Sequence, residues 1–165
     1  MSLYILSLIF HFFFAMFWVG GMLFYVFVLI TIIRDPEFKS VKLRLLEKTA
    51  LQFRKLSYYT FLFLFLSGIY LLHTKGMINV SYNINELILS IPSLFKLKIS
   101  LFLLLVISSI YHDYFSGPSA FAYLETNPSL YEKFRKRSAF FGRLNLLVSI
   151  SIAILGILGS RGFAF

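Results

Sequence analysis

The sequence predicts an all-α protein: an integral membrane four-helix bundle with short loops and both termini outside. Three observations carry that expectation. Of the 165 residues, 59% are hydrophobic, and they are gathered into four long apolar stretches. The first stretch, residues 3–33, holds no charge at all, and about 20 apolar residues are enough to cross a bilayer. Without water to serve the peptide groups, each span must satisfy its own backbone hydrogen bonds, which a helix does. The charges, finally, lie almost entirely in the connections, where loops meet water and headgroups.

Taken in order, the first helix is expected over residues 3–33, stopped by Arg34-Asp35-Pro36, because proline disfavours helix at the residue before it. The start lacks a basic leader region and a small-residue cleavage site, so it is expected to remain as helix one rather than act as a signal peptide. At about 1.5 Å per residue it exceeds the hydrocarbon thickness and must tilt or protrude. Residues 40–55 mix charge with Val41, Leu43, Leu45, Leu46 and Leu51, the pattern of an amphipathic helix leading into helix two. That second span is expected over 56–73, ended by Lys75-Gly76. A connection over 76–93 follows, with an interfacial turn near Glu86. Helix three is expected over 93–114, from Pro92 to Ser116-Gly117-Pro118, and helix four over 138–160. Together they make one domain, residues 1–165.

Charge supplies the orientation. Seven of the sixteen Lys/Arg lie between residues 34 and 55, and four more between 133 and 137. The connection between helices two and three has only Lys75 before Lys96 and Lys98. By the positive-inside bias, loops one and three face the cytoplasm. The net charge of +9 is therefore read as contact with the lipid bilayer and its anionic headgroups, not with nucleic acid. The expected location is the inner (cytoplasmic) membrane, multi-pass. With no cysteine, disulfides, thiolate metal sites and thiol catalysis are excluded.

The polar residues inside the spans point to chemistry. Helical spacing places His11, Trp18, Met22 and Tyr25 on one face of helix one, beside Gly20 and Gly21. His73, Tyr70, Leu66 and Phe63 share a face of helix two, with Ser67-Gly68 adjacent; Lys98, Phe102, Leu105, Ser109 and His112 line helix three. An ionisable residue inside a span is a functional-site candidate. From Arg34, His11 lies roughly 34 Å outward, and from Lys55, His73 lies roughly 27 Å outward. Both belong to the outer half, where Lys98 also reaches, so His11 and His73 are the candidate metal ligands. Two neutral imidazoles among Phe and Tyr suit a haem b iron, with Trp18 and Tyr70 beside the cofactor and Lys98 at its propionates. His112, roughly 21 Å deeper than Lys98, is assigned to a second, inner site with Arg54, Arg143 or Asn145.

Ordinary readings stand beside these. His73 can simply face water and headgroups, and Trp18 and the phenylalanines can be bundle filling. Copper is the rival metal, but copper transport calls for clustered soft ligands, and four scattered Met with no Cys are a thin supply. No Ser/His/Asp triad, phosphate loop or pair of intramembrane carboxylates is evident, so hydrolysis and phosphoryl transfer find no support. Ser149, Ala153, Gly156 and Ser160 form a small-residue stripe on helix four, suited to close packing inside the bundle or to a homodimer.

A resemblance adds to this. The first helix, Phe10-His11-Phe12-Phe13-Phe14-Ala15-Met16-Phe17-Trp18-Val19-Gly20-Gly21-Met22-Leu23-Phe24, resembles the opening of the copper-resistance D family. It is also similar to the HemJ-type protoporphyrinogen oxidases, which share the His and a Trp-x-x-Gly pattern. Phe53-Arg54 with Ser67-Gly68-Ile69-Tyr70 resembles the second helix of both groups. Lys96-Leu97-Lys98-Ile99 is similar to the start of their third helix, and the basic run at 133–137 with Arg143-Leu144-Asn145 to the approach to the last. The resemblance implies a four-helix membrane module that binds haem b or handles copper. The HemJ-type likeness further implies porphyrinogen oxidation, with His11 and Lys98 at its key positions. The resulting expectation is a haem b protein with a redox role, an oxidoreductase if it is an enzyme, working with quinol or a porphyrinogen. Copper handling and a structural role in assembling a membrane complex are the alternatives.

Overall fold

The computed structural model describes residues 2–79 and 81–163. The chain ends themselves, expected outside the membrane, lie outside the described residues. Seven α-helices order the described residues, with no strand among them: α1 (Ser2–Phe24), α2 (Ile30–Ile32), α3 (Lys42–Thr74), α4 (Ile84–Ser90), α5 (Ser93–Tyr111), α6 (Gly117–Ala122) and α7 (Pro128–Ser160). Short wide π turns, Tyr25–Leu29 and His112–Ser116, join α1 to α2 and α5 to α6. Four continuous helical segments, Leu3–Ile32, Lys42–Thr74, Ser93–Ala122 and Pro128–Ser160, are each long and apolar enough to cross a membrane. They fall into two compact units, Met1–Ile91 and Pro92–Phe165. Each unit is a helical hairpin, α1 against α3 in one and α5 against α7 in the other.

The helix ends follow from local chemistry. Asp35 is extended before Pro36, and its carboxylate accepts the Glu37 N–H at 3.0 Å, which opens a 3₁₀ turn over Pro36–Phe38. The amphipathic stretch and the second span form one helix, α3, of 33 residues. Its end is a Schellman motif: Gly76 has φ +71, its N–H reaches the His73 carbonyl at 2.9 Å, and the Met77 N–H reaches Leu72 at 3.0 Å. Only glycine adopts that left-handed backbone at little cost. α4 begins with a capping box in which Asn83 and Glu86 each bond the other's backbone N–H. Its Ile84, Ile88 and Leu89 are exposed. Ser90 Oγ donates to the Met77 carbonyl at 2.7 Å and ties the two ends of this connection together.

Two boundaries differ from expectation. The third span passes Ser116-Gly117-Pro118 and continues to Ala122. A proline ring clashes with the carbonyl four residues back in a regular helix. Here the chain widens into the π turn first, with the Gly117 N–H bonded to the His112 carbonyl, so Pro118 is carried in the first turn of α6. The fourth helix starts at Pro128, ten residues ahead of the apolar run. Asn127 caps it, its side-chain oxygen accepting from Leu130 N–H at 3.1 Å, and proline suits the first helical position.

Inside the first hairpin, Trp18 is buried against Phe53 and Phe61, at ring-centroid distances of 5.3 and 4.6 Å. Gly21 makes room for this: a Cβ there would lie 2.7 Å from Phe53 Cε2. In the second hairpin, Gly159 lets Phe95 and Leu94 approach within 3.0 and 3.2 Å of its own Cβ position. Buried Leu94, Leu105 and Val148 belong to the same unit.

Candidate functional site at His11

His11 lies in the middle of α1, the element that closes on α3. Its Nδ1 is 2.8 Å from Ser67 Oγ. The same hydroxyl is 2.6 Å from the Phe63 carbonyl and 3.3 Å from that of Leu64. A serine has one proton to give, and the short bond to Phe63 takes it. Ser67 Oγ must then accept from His11 Nδ1–H. For a neutral ring that network puts the proton on Nδ1 and the lone pair on Nε2, the nitrogen through which such an imidazole would ligate a metal. A hydrogen bond to the non-ligating nitrogen is the usual way such a ring is oriented.

The adjacent glycine completes the seat. A Cβ on Gly68 would stand 3.5 Å from His11 Cε1, an ordinary van der Waals contact, so the ring packs over this turn of α3 with room for a methyl group. Across the same two helices, Phe14 and Phe63 stack on each other with centroids 4.7 Å apart and planes only 6° apart. Along this seam runs a groove of about 380 Å³, walled by Phe10, Phe14, Phe63 and Tyr70 with Ser7 and Ser67 as its polar points. Its walls are mostly apolar, and His11 is not among the residues that line it.

The other candidates fall as follows. Tyr70 lines the groove. Trp18 is buried in the aromatic stack with Phe53 and Phe61. His73 is exposed, six residues beyond Ser67 on α3 or about 9 Å along the axis, and its Nδ1 donates to the Ile78 carbonyl at 3.1 Å. The structure thus brings His11 to Ser67-Gly68, while His73 is held by its own loop. Lys98 belongs to the second hairpin, its Nζ 3.3 Å from where a Gly156 Cβ would be, so the small-residue stripe of α7 is used there for contact with α5. Arg143 is exposed on α7, and Asn145 is buried with its Nδ2 donating to Ser109 Oγ at 3.2 Å. Asn145 Oδ1 and Ser108 Oγ are buried with no hydrogen-bond partner. His112 is bonded to Asp113 and to Ser138, 2.8 and 3.1 Å away.

Ser67 and Ser138 were not singled out as site residues by sequence. Serines are common in apolar helices, and most here bond the carbonyl four residues back, as Ser57, Ser149 and Ser151 do. Ser67 and Ser138 pair with a histidine across a hairpin, which helix spacing alone does not reveal.

Comparisons with protein-family models, characterised proteins and solved structures found no match to this chain.

Proposed function

We propose that the protein is a membrane-embedded haem b protein with a redox role, and that His11 is the axial ligand to the iron. The observation that carries this is the Ser67–His11 hydrogen bond at the side of an aromatic groove. It supplies a neutral imidazole of defined tautomer, held still by a second helix. Haem also suits the ligand supply better than a bare metal ion. Haem brings four nitrogens of its own and asks the chain for as little as one. Bound there, haem supplies one-electron chemistry, with quinol or a porphyrinogen as the expected partner. The chain's part would be to orient His11 through Ser67 and to offer Phe14, Phe63 and Tyr70 as aromatic walls.

In this reading the four apolar helices cross the inner membrane. The basic connections at 34–55 and 133–137 face the cytoplasm, with α4 at the opposite interface. The sequence likeness to the copper-resistance D and HemJ-type groups supports the same reading.

Absorption spectra of the purified full chain, oxidised and dithionite-reduced, test it. A haem Soret band that shifts on reduction and is lost in His11→Ala is expected. A colourless preparation from haem-replete cells, or a spectrum untouched by His11→Ala, would overturn it. With one protein ligand, His73→Ala leaves the spectrum as it was; loss of a low-spin spectrum in that variant would give His73 the second axial position.

A further inference from the structure

We infer that Ser138, His112 and Asp113 form a nucleophilic triad at the polar end of the second hairpin, with carboxylic esters of apolar, membrane-dissolved molecules as substrates. The two distances are those of a working triad in the right order. Ser138 Oγ lies 3.1 Å from His112 Nε2, and His112 Nδ1 lies 2.8 Å from Asp113 Oδ1. The carboxylate holds the proton on Nδ1, which leaves Nε2 to accept from the serine. That is the arrangement in which imidazole acts as a general base toward a hydroxyl and the carboxylate steadies the imidazolium that forms.

Three independent features set this cluster apart from ordinary helix serines and histidines. Ser138 gives its bond to His112, across the hairpin from α7 to the end of α5, and not to the carbonyl four residues back. His112 and Asp113 open a π turn, a rare distortion that recurs at functional sites; it turns adjacent residues so that the carboxylate meets the ring beside it. The group is also reachable, since the His112 and Asp113 side chains are 30% and 16% exposed. The neighbouring pair repeats the connection, with Arg137 Nη1 donating to Tyr111 OH at 3.0 Å. Arg137 precedes Ser138 and carries further N–H donors, which makes it the candidate to stabilise the negative oxygen of an acyl-transfer intermediate.

The site's surroundings select the substrate class. Ser138 stands where α7 changes from the basic turns at 133–137 to its apolar length, and Tyr114, Phe115 and Phe140 nearby in the chain are exposed. A substrate that partitions into lipid and presents its ester at the headgroup level meets all of these. In the reaction, Ser138 Oγ bonds to the carbonyl carbon as its proton passes to His112 Nε2. The ester C–O bond then breaks, and the alcohol leaves with that proton. Water next attacks the acyl-serine, His112 taking its proton, and the Oγ–acyl bond breaks to release the acid and restore the serine.

The experiment is covalent labelling of the full chain, purified in detergent, with a fluorophosphonate probe and p-nitrophenyl butyrate as reporter ester. Mass spectrometry of the labelled chain should locate the adduct at Ser138, and Ser138→Ala should abolish both adduct and turnover. His112→Ala should slow labelling at least about 100-fold, the usual contribution of a general base. Asp113 acts through His112 as a positioning residue. Asp113→Asn should therefore lower the limiting rate of adduct formation while the half-saturating probe concentration stays the same, a split that a merely structural role would not give. Where His112→Ala loses its native elution profile, His112→Gln takes its place. No adduct at Ser138 in natively eluting protein would overturn the inference, as would an adduct that forms at full rate without His112. Because every residue involved lies in the 92–165 hairpin, the outcome is independent of haem at His11.

Discussion

Ser67→Ala separates the orientation of His11 from its mere presence. The substitution removes the hydroxyl that α3 places 2.8 Å from His11 Nδ1, and leaves the aromatic walls intact. A single hydrogen bond contributes about 0.5–1.5 kcal/mol net, roughly a two- to twelvefold change in an equilibrium constant. Loss of a partner that orients a metal-bound histidine costs about 10–100-fold in metal affinity. The bond here ends on a serine whose proton is already committed to Phe63 at 2.6 Å, so it is made by an oriented acceptor. About tenfold weaker haem binding is expected, with a broadened Soret band as the ring samples other orientations. The assay is titration of haem into protein prepared haem-free in detergent, followed by absorbance. Ser67→Thr keeps the acceptor and should bind within a few-fold of the parent. Ser7→Ala also removes a hydroxyl from the groove but keeps the Ser67–His11 bond, so it should change little. Equal affinity in Ser67→Ala and the parent would refute the reasoning, and so would equal losses in Ser7→Ala and Ser67→Ala.

Three further outcomes are expected. Gly21→Ala puts a Cβ 2.7 Å from Phe53 Cε2 in a ring already stacked on Trp18, and overpacking of that kind costs about 1–3 kcal/mol; thermal unfolding in detergent should move down accordingly, with Gly20→Ala, which meets nothing, as the silent control. Asn145→Leu removes a buried oxygen that has no partner together with one bond to Ser109; interhelical hydrogen bonds in membranes average about 0.6 kcal/mol, so stability should change by less than about 1 kcal/mol, and a loss of several kcal/mol would show that Oδ1 is engaged in the folded protein. Cysteines placed at Lys42 and Asn79 should react with an impermeant maleimide from opposite faces of oriented vesicles, and labelling from one face would end the proposed topology.

The sequence by itself determined the helices. Long uncharged runs leave a chain in lipid no other way to bond its backbone, and Pro36, Gly76 and Pro92 end or begin helices for reasons that act within a few residues. It did not determine the course past Pro118, because the π turn that accommodates the ring depends on the backbone of 112–117 as a whole. The start of α7 was missed because Asn127-Pro128 reads equally well as a polar loop and as a cap. Among the site residues, His11 was legible as a lone imidazole in an apolar run, and Tyr70 as part of a facing stripe. What only the tertiary structure decided is which polar groups meet. Helical periodicity places a residue on a face to within a turn, whereas a hydrogen bond requires the axial offset of two helices to about an ångström. That offset is set by packing, with Gly21 admitting Phe53 in one hairpin, and Gly156 and Gly159 admitting α5 in the other. It is why Ser67, not His73, holds His11, and why Ser138 falls on His112.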